Sequence, residues 1–181
     1  MRSIYKIVVC SLLTLSITSC EKDLLEKEQY QKEIYLIGAY NRVWTTEVSY
    51  SNEEVKTYFT VSSSGTLALD RDVNVKMKIN EELVDIYNKK YWTVLNEDKY
   101  YKSLDTDLYS IPSLENTVIK HAEGISAEVP VLIKTASLKI DQSYVIPVEI
   151  ESTTGYPISE SGYKMLILLK LKNDYSGSYQ M

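Results

Sequence analysis

The chain has 181 residues, a formal charge of −5 and one histidine, His121. That length suits one domain with a proper core, and an acidic chain without a basic patch is a poor nucleic-acid binder. Both cysteines, Cys10 and Cys20, lie at the N-terminal end. The remainder therefore has no disulfide, thiolate metal site or cysteine nucleophile, and its fold depends on the core alone.

Arg2 and Lys6 make a short basic start, and residues 7–17 form an apolar run interrupted by Ser11, Thr14 and Ser16. Such a run covers only about 16 Å as a helix, against about 30 Å of bilayer hydrocarbon. It reads as the apolar core of an export signal and not as a membrane span. Ile17-Thr18-Ser19-Cys20 follows and resembles a lipobox. The resemblance implies cleavage before Cys20 and acylation of its thiol, which would anchor the chain to a membrane. Removing residues 1–19 from the 181 leaves 162, and losing Arg2 and Lys6 takes the charge from −5 to −7. Residues 20–32 read as a tether. Its acidic members Glu21, Asp23, Glu26 and Glu28 resemble the export tag of Bacteroides-type surface lipoproteins. That likeness implies an outer-membrane protein facing the exterior; a charged, extended linker is the plainer account of the same residues.

From residue 33 the dominant period is two, the strand signature. Glu33 to Tyr40, Trp44 to Tyr50 and Val55 to Val61 are the first three expected strands, with Ser51-Asn52 as a turn between the last two. Val73, Val75, Met77 and Ile79 alternate with polar residues in a half-buried strand. Asn80 then offers a side-chain cap, Glu81 and Glu82 suit a helix N-terminus, and Lys89 and Lys90 suit its C-terminus. The spacing predicts a short helix near 81–90 with Leu83, Ile86, Tyr87 and Tyr91 as its apolar stripe. Residues 91–111 read as a long surface connection with room for one short strand. Three clearer segments follow. Thr117 to Lys120 is short, Ile125 to Ile133 alternates, and Tyr144 to Ile150 alternates after a turn at Asp141-Gln142. Pro147 has no N–H for a ladder, so that strand is expected at an edge or bulged. The last strand, Tyr163 to Lys172, has a Met165–Leu169 centre that reads as buried on both faces.

Many short strands, one helix and regular turn signals predict an all-β fold, an antiparallel β-sandwich, with a barrel as the alternative. The tyrosine-rich stretch, Thr117-Val118-Ile119, Ala122 to Ala127, Ser143 to Val148 and Glu151-Ser152-Thr153-Thr154-Gly155 together resemble a known family. It is the N-terminal immunoglobulin-like domain of unknown function in Bacteroides-type surface lipoproteins. The likeness covers about residues 30–172 and implies an immunoglobulin-like domain over 33–172. In that family the domain precedes chitinase-like endoglycosidase, lectin-like or uncharacterised modules. The resemblance thus implies a role in holding or positioning a glycan-handling module. His121 and Glu123 depart from the family's usual residues there. Residues 173–181 read as a linker tail.

The chemistry of catalysis is sparse. His121 lacks a nucleophile elbow nearby and reads as a strand-end surface residue. One histidine and no later cysteine exclude the usual zinc sites. Asp105 and Asp107 have the oxygen chemistry of calcium ligands but fall in an expected loop, and no metal site is assigned. No phosphate-loop or dinucleotide fingerprint occurs, so no cofactor is expected. Tyrosine occurs 16 times and phenylalanine once. Trp92 with Tyr91, Tyr100 and Tyr101 is the candidate stacking platform for sugar rings. The plainer reading puts Trp92, Tyr87 and Trp44 in the core. The sequence thus points to a non-catalytic lipoprotein that binds or positions glycans. The alternative is a structural spacer or adhesin-like subunit that engages a protein partner.

Overall fold

The structure, a computed structural model, describes residues 27–172. The signal, Cys20, most of the acidic tether and the 173–181 tail lie outside the described residues. In chain order the described residues form β1 (Ile34–Leu36), β2 (Val43–Ser49), β3 (Glu54–Ser63), β4 (Val73–Ile79) and α1 (Glu82–Tyr91). Then come β5 (Lys102–Ser103), β6 (Tyr109–Ser110), β7 (Thr117–Ile119), β8 (Ser126–Lys134), β9 (Tyr144–Thr153) and β10 (Lys164–Lys172).

Alternating side chains give each strand one apolar face, and two sheets bury those faces against each other. One sheet has the order β1-β3-β8-β6 and the other β2-β10-β9-β4-β7, with β5 beside β9. Phe59, Val61, Val129, Val131 and Ile133 meet Val75, Met77, Ile146, Val148, Met165 and Ile167 in the core between them. Fully burying each such side chain contributes about 1.5–3 kcal/mol. The chain opens in the first sheet and then switches: β1 pairs with β3, whereas β2 pairs parallel with β10. The described residues form an immunoglobulin-like β-sandwich with one short α-helix, as the sequence predicted.

The first strand is shorter than Glu33 to Tyr40. Gly38 has φ 89° and a 3-10 turn occupies Ala39–Asn41, so the chain breaks there and crosses between sheets. A Cβ at Gly38 would lie 2.5 Å from Trp44 Cε3, so this close approach needs glycine. Trp44 is therefore packed on the turn; at 38% exposed it is not a core residue.

Pro147 is neither at an edge nor at a bulge. It is buried in β9, a central strand with β10 on one side and β4 and β5 on the other. Its carbonyl accepts a hydrogen bond from the Asn80 N–H on the β4 side. The missing N–H faces that same side, where β4 stops opposite Val148 and β5 pairs only with Tyr144 and Val145. The proline thus sits at a gap in the neighbouring ladder and forfeits no strand bond.

α1 lies across the outer face of the second sheet. Leu83 and Val84 pack on Val145 and Leu166, with Val43, Tyr87, Tyr101 and Leu168 around them. The Met165–Leu169 run is apolar on both sides because its two faces serve the sandwich core and the helix. The predicted helical stripe is rotated: Leu83, Val84 and Asn88 are buried, while Ile86 is 52% exposed and Tyr91 48% exposed.

Candidate functional site

The helix is set by its ends. Asn80 Oδ1 accepts the Glu82 N–H at 3.2 Å, the Asn80 side-chain amide bonds Glu149, and Lys89 and Lys90 occupy the last turn. In the same last turn, buried Asn88 grips the returning chain. Its Nδ2 donates to the Tyr101 carbonyl at 2.9 Å, and its Oδ1 accepts the Tyr101 N–H at 2.9 Å. This two-bond clamp fixes the segment 100–102 under the helix before it enters β5.

The clamp also sets an aromatic stack. Tyr87 lies 5.2 Å from Tyr101 at 11° between ring planes, and 4.5 Å from Tyr91 at 34°. Burial and the neighbouring Tyr101 push the Tyr87 phenol up to about 12. It therefore keeps its proton and remains a hydrogen-bond donor at any physiological pH.

Tyr87 belongs to a cavity of about 380 Å³ between α1, the 39–42 turn and the start of β10. Buried Ala39, Leu83, Met165 and Leu166 form its apolar base. Tyr40, Arg42, Ile86, Tyr87, Glu160, Ser161, Tyr163 and Lys164 complete the lining. Tyr40 is 89% exposed, which leaves its ring free at the rim. Lys164 Nζ stands 4.8 Å from the Tyr163 ring centroid. An apolar base with aromatic and polar groups at the mouth is the ordinary composition of a small-molecule site.

The expected platform is only partly assembled. Tyr91 and Tyr101 both meet Tyr87, but neither lines the cavity. Tyr100 is half-buried and has no ring partner among the described residues. Trp92 is half-buried past the helix end, its Nε1 lacks a hydrogen-bond partner, and Lys99 Nζ stands 5.7 Å from its ring. Tyr87, assigned to the core, is instead the shared member of stack and cavity. Tyr40, Arg42, Tyr163 and Lys164 were not singled out in the sequence, since they come from two segments more than a hundred residues apart. The glycine before Ala39-Tyr40 was the one local signal that the chain turns there.

Other candidates separate from this site. His121 is exposed, with Nδ1 2.7 Å from Asp72 Oδ1; this contact draws the Asp72 carboxyl below its usual range. Asp105 precedes a 3-10 turn at Thr106–Leu108, and Asp107 lies within it. Among the described residues no three His, Cys, Asp or Glu side chains are grouped to hold a metal ion, and no helix is long and apolar enough to cross a membrane.

A family model for an N-terminal domain matches residues 30–157. Among solved structures, a Bacteroides ovatus protein of unknown function aligns with TM-score 0.68 and 20% identity, covering 83% of this chain and 49% of that one. An auxiliary nutrient-binding protein of Bacteroides thetaiotaomicron aligns with TM-score 0.61 and 16% identity, covering 77% and 47%. EndoBT-3987 of Bacteroides thetaiotaomicron, solved with a Man5GlcNAc product, aligns with TM-score 0.56 and 20% identity, covering 82% and 34%. The chain thus spans less than half the length of each. No curated protein matches it.

Proposed function

The chain belongs to the family of N-terminal domains matched over residues 30–157, the immunoglobulin-like domain its segment order resembles, and from that premise we propose that it is a non-catalytic cell-surface lipoprotein that binds and positions glycans. The observation that carries the binding is the cavity between α1 and β10, where Tyr40, Tyr87 and Tyr163 stand beside Arg42, Glu160 and Ser161. Sugar rings pack their C–H faces on aromatic faces, and their hydroxyls need polar partners at the edge. The nutrient-binding and Man5GlcNAc-bound neighbours support the reading at the level of a shared fold. The non-catalytic part rests on the residues themselves. Glycoside hydrolysis uses two opposed carboxylates, and Glu160 is the one acid lining the cavity. His121 and Asp72 are exposed on another part of the surface.

The anchor on Cys20 and the outward-facing position rest on the lipobox and the acidic residues after it. Metabolic labelling with a lipid precursor, alongside a Cys20→Ala variant, tests the first. Protease shaving of intact cells tests the second. Calorimetry and glycan arrays with the chain from residue 21 onward test the binding; no affinity for any glycan contradicts it.

A spacer role has its own supporting observation. β1 begins beside Ser63, the end of β3, while β10 ends beside Ser49, close in the chain to the start of β3. Segments before residue 34 and after residue 172 therefore attach at opposite ends of strands about 30 Å long. A partner protein that co-purifies from membranes, with no glycan bound, favours this second role.

A further inference from the structure

The cavity carries a second layer of information in its charges. The protein is acidic at −5, yet two of the three charged residues at this site, Arg42 and Lys164, are cationic. Neither is in an ion pair among the described residues, although eight other pairs hold charges elsewhere on the surface. Lysines 76, 120 and 172 are each bound to a carboxylate; Arg42 and Lys164 have no carboxylate partner among the described residues, and Lys164 rests over the Tyr163 ring at the cavity.

The Arg42 backbone adds an independent observation. It is the one non-glycine of the described residues with positive φ, at 63° with ψ −19°. The left-handed conformation is costly for a residue with a Cβ, and arginine has no short side chain to ease it. Two hydrogen bonds hold it there: the Arg42 N–H donates to the Ala39 carbonyl at 2.8 Å, and its own carbonyl accepts the Leu166 N–H at 2.8 Å. The first bond closes the turn, and the second docks it onto β10, two residues from Lys164. A residue held against its preference beside a cavity is a functional candidate.

We propose that this cavity selects carboxylated sugars, with Arg42 and Lys164 as specificity-determining residues that bind the ring carboxylate while the tyrosines take the sugar face. The inference rests on the glycan reading of the cavity given above. A guanidinium offers a two-pronged match to a carboxylate, and Lys164 adds a point charge on the same side. Glu160, the remaining charge, suits the sugar hydroxyls as an acceptor. Uronates and sialates share the recognised chemistry.

The test is calorimetry of the chain from residue 21 onward with oligogalacturonate, its methyl ester, sialyllactose and lactose. The inference expects each acid to bind at least tenfold more tightly than its uncharged counterpart, with the preference fading in high salt. Which of the two acids binds identifies the source. Arg42→Gly relieves the backbone and should melt within about 5 °C of the parent while losing most of the preference. Lys164→Gln, which leaves the turn untouched, should lose part of it. Equal affinity for acids and neutral counterparts overturns this inference and leaves the glycan reading standing. A preference that survives both substitutions overturns it as well. Binding of no sugar at all overturns both.

Discussion

Replacing Asn88 with alanine is the sharpest perturbation of the scaffold. Asn88 is buried at 4% exposure and makes two 2.9 Å hydrogen bonds to the backbone of Tyr101. Alanine removes both and leaves the half-buried Tyr101 N–H and carbonyl without their partner. Each unsatisfied buried group costs about 1–3 kcal/mol, and partial access to water lowers the sum, so about 2–4 kcal/mol is expected. For a domain of this size that is a fall in Tm of roughly 5–15 °C. Urea titration should show the midpoint falling with an unchanged slope, and hydrogen exchange should show loss of protection at Tyr101. Asn88→Asp separates the two bonds. It keeps an acceptor for the N–H but sets a carboxylate against the Tyr101 carbonyl, so it should be at least as damaging at neutral pH and partly restored on acidification. A loss below about 0.5 kcal/mol for Asn88→Ala would refute the clamp.

Other outcomes follow from the same geometry. Gly38→Ala adds a Cβ 2.5 Å from Trp44 Cε3 at φ 89°. About 2–4 kcal/mol of destabilisation is expected from strain and displacement together, measured by urea titration, with weaker glycan binding because the turn carries Tyr40 and Arg42. Leu166→Ala removes the side chain that joins α1 to the sheet and should cost about 2–4 kcal/mol, checked the same way. Acid titration should follow the depressed carboxylates. Glu28, bonded by Lys32 and the Thr66 N–H, is pulled from 4.5 down to about 2. Asp70, Asp72, Glu47 and Glu151 are also lowered, through Arg71, His121, Lys172 and Lys76 respectively. With folded values below unfolded ones, their stabilisation is complete above about pH 5 and is lost as pH falls below 4.5 toward 2. A Tm scan should be flat near neutrality and decline in that window, less steeply in Glu28→Gln.

The sandwich was legible because its strands alternate: the Val73–Ile79 and Val129–Ile133 patterns fix both the period and the buried face, whereas Ile125, expected on that face, precedes β8 and is exposed. The helix was legible from Asn80 and the charge order along it, but its buried face was not. The sequence offers Ile86 and Tyr91 as readily as Val84 and Asn88, and the curved sheet beneath selects the latter. Pro147 misled for a related reason. Its lost N–H matters only where a neighbouring strand is present, and the gap between β4 and β5 is a property of the fold. The cavity was the least legible feature. Tyr40 and Arg42 come from a crossover between sheets, Tyr163 and Lys164 from the start of the last strand. No local spacing announces a site that two distant segments build together.

The central claim is that sugars bind at the cavity between α1 and β10, and Tyr40 tests it most directly. At 89% exposure its ring contributes little to the core, so Tyr40→Ala should leave Tm unchanged. Calorimetry against a glycan found by array should show at least a fivefold loss of affinity in the variant, equivalent to about 1 kcal/mol. Undiminished binding by Tyr40→Ala, with the loss appearing instead in Trp92→Ala, would contradict the account and return the site to the connection after α1.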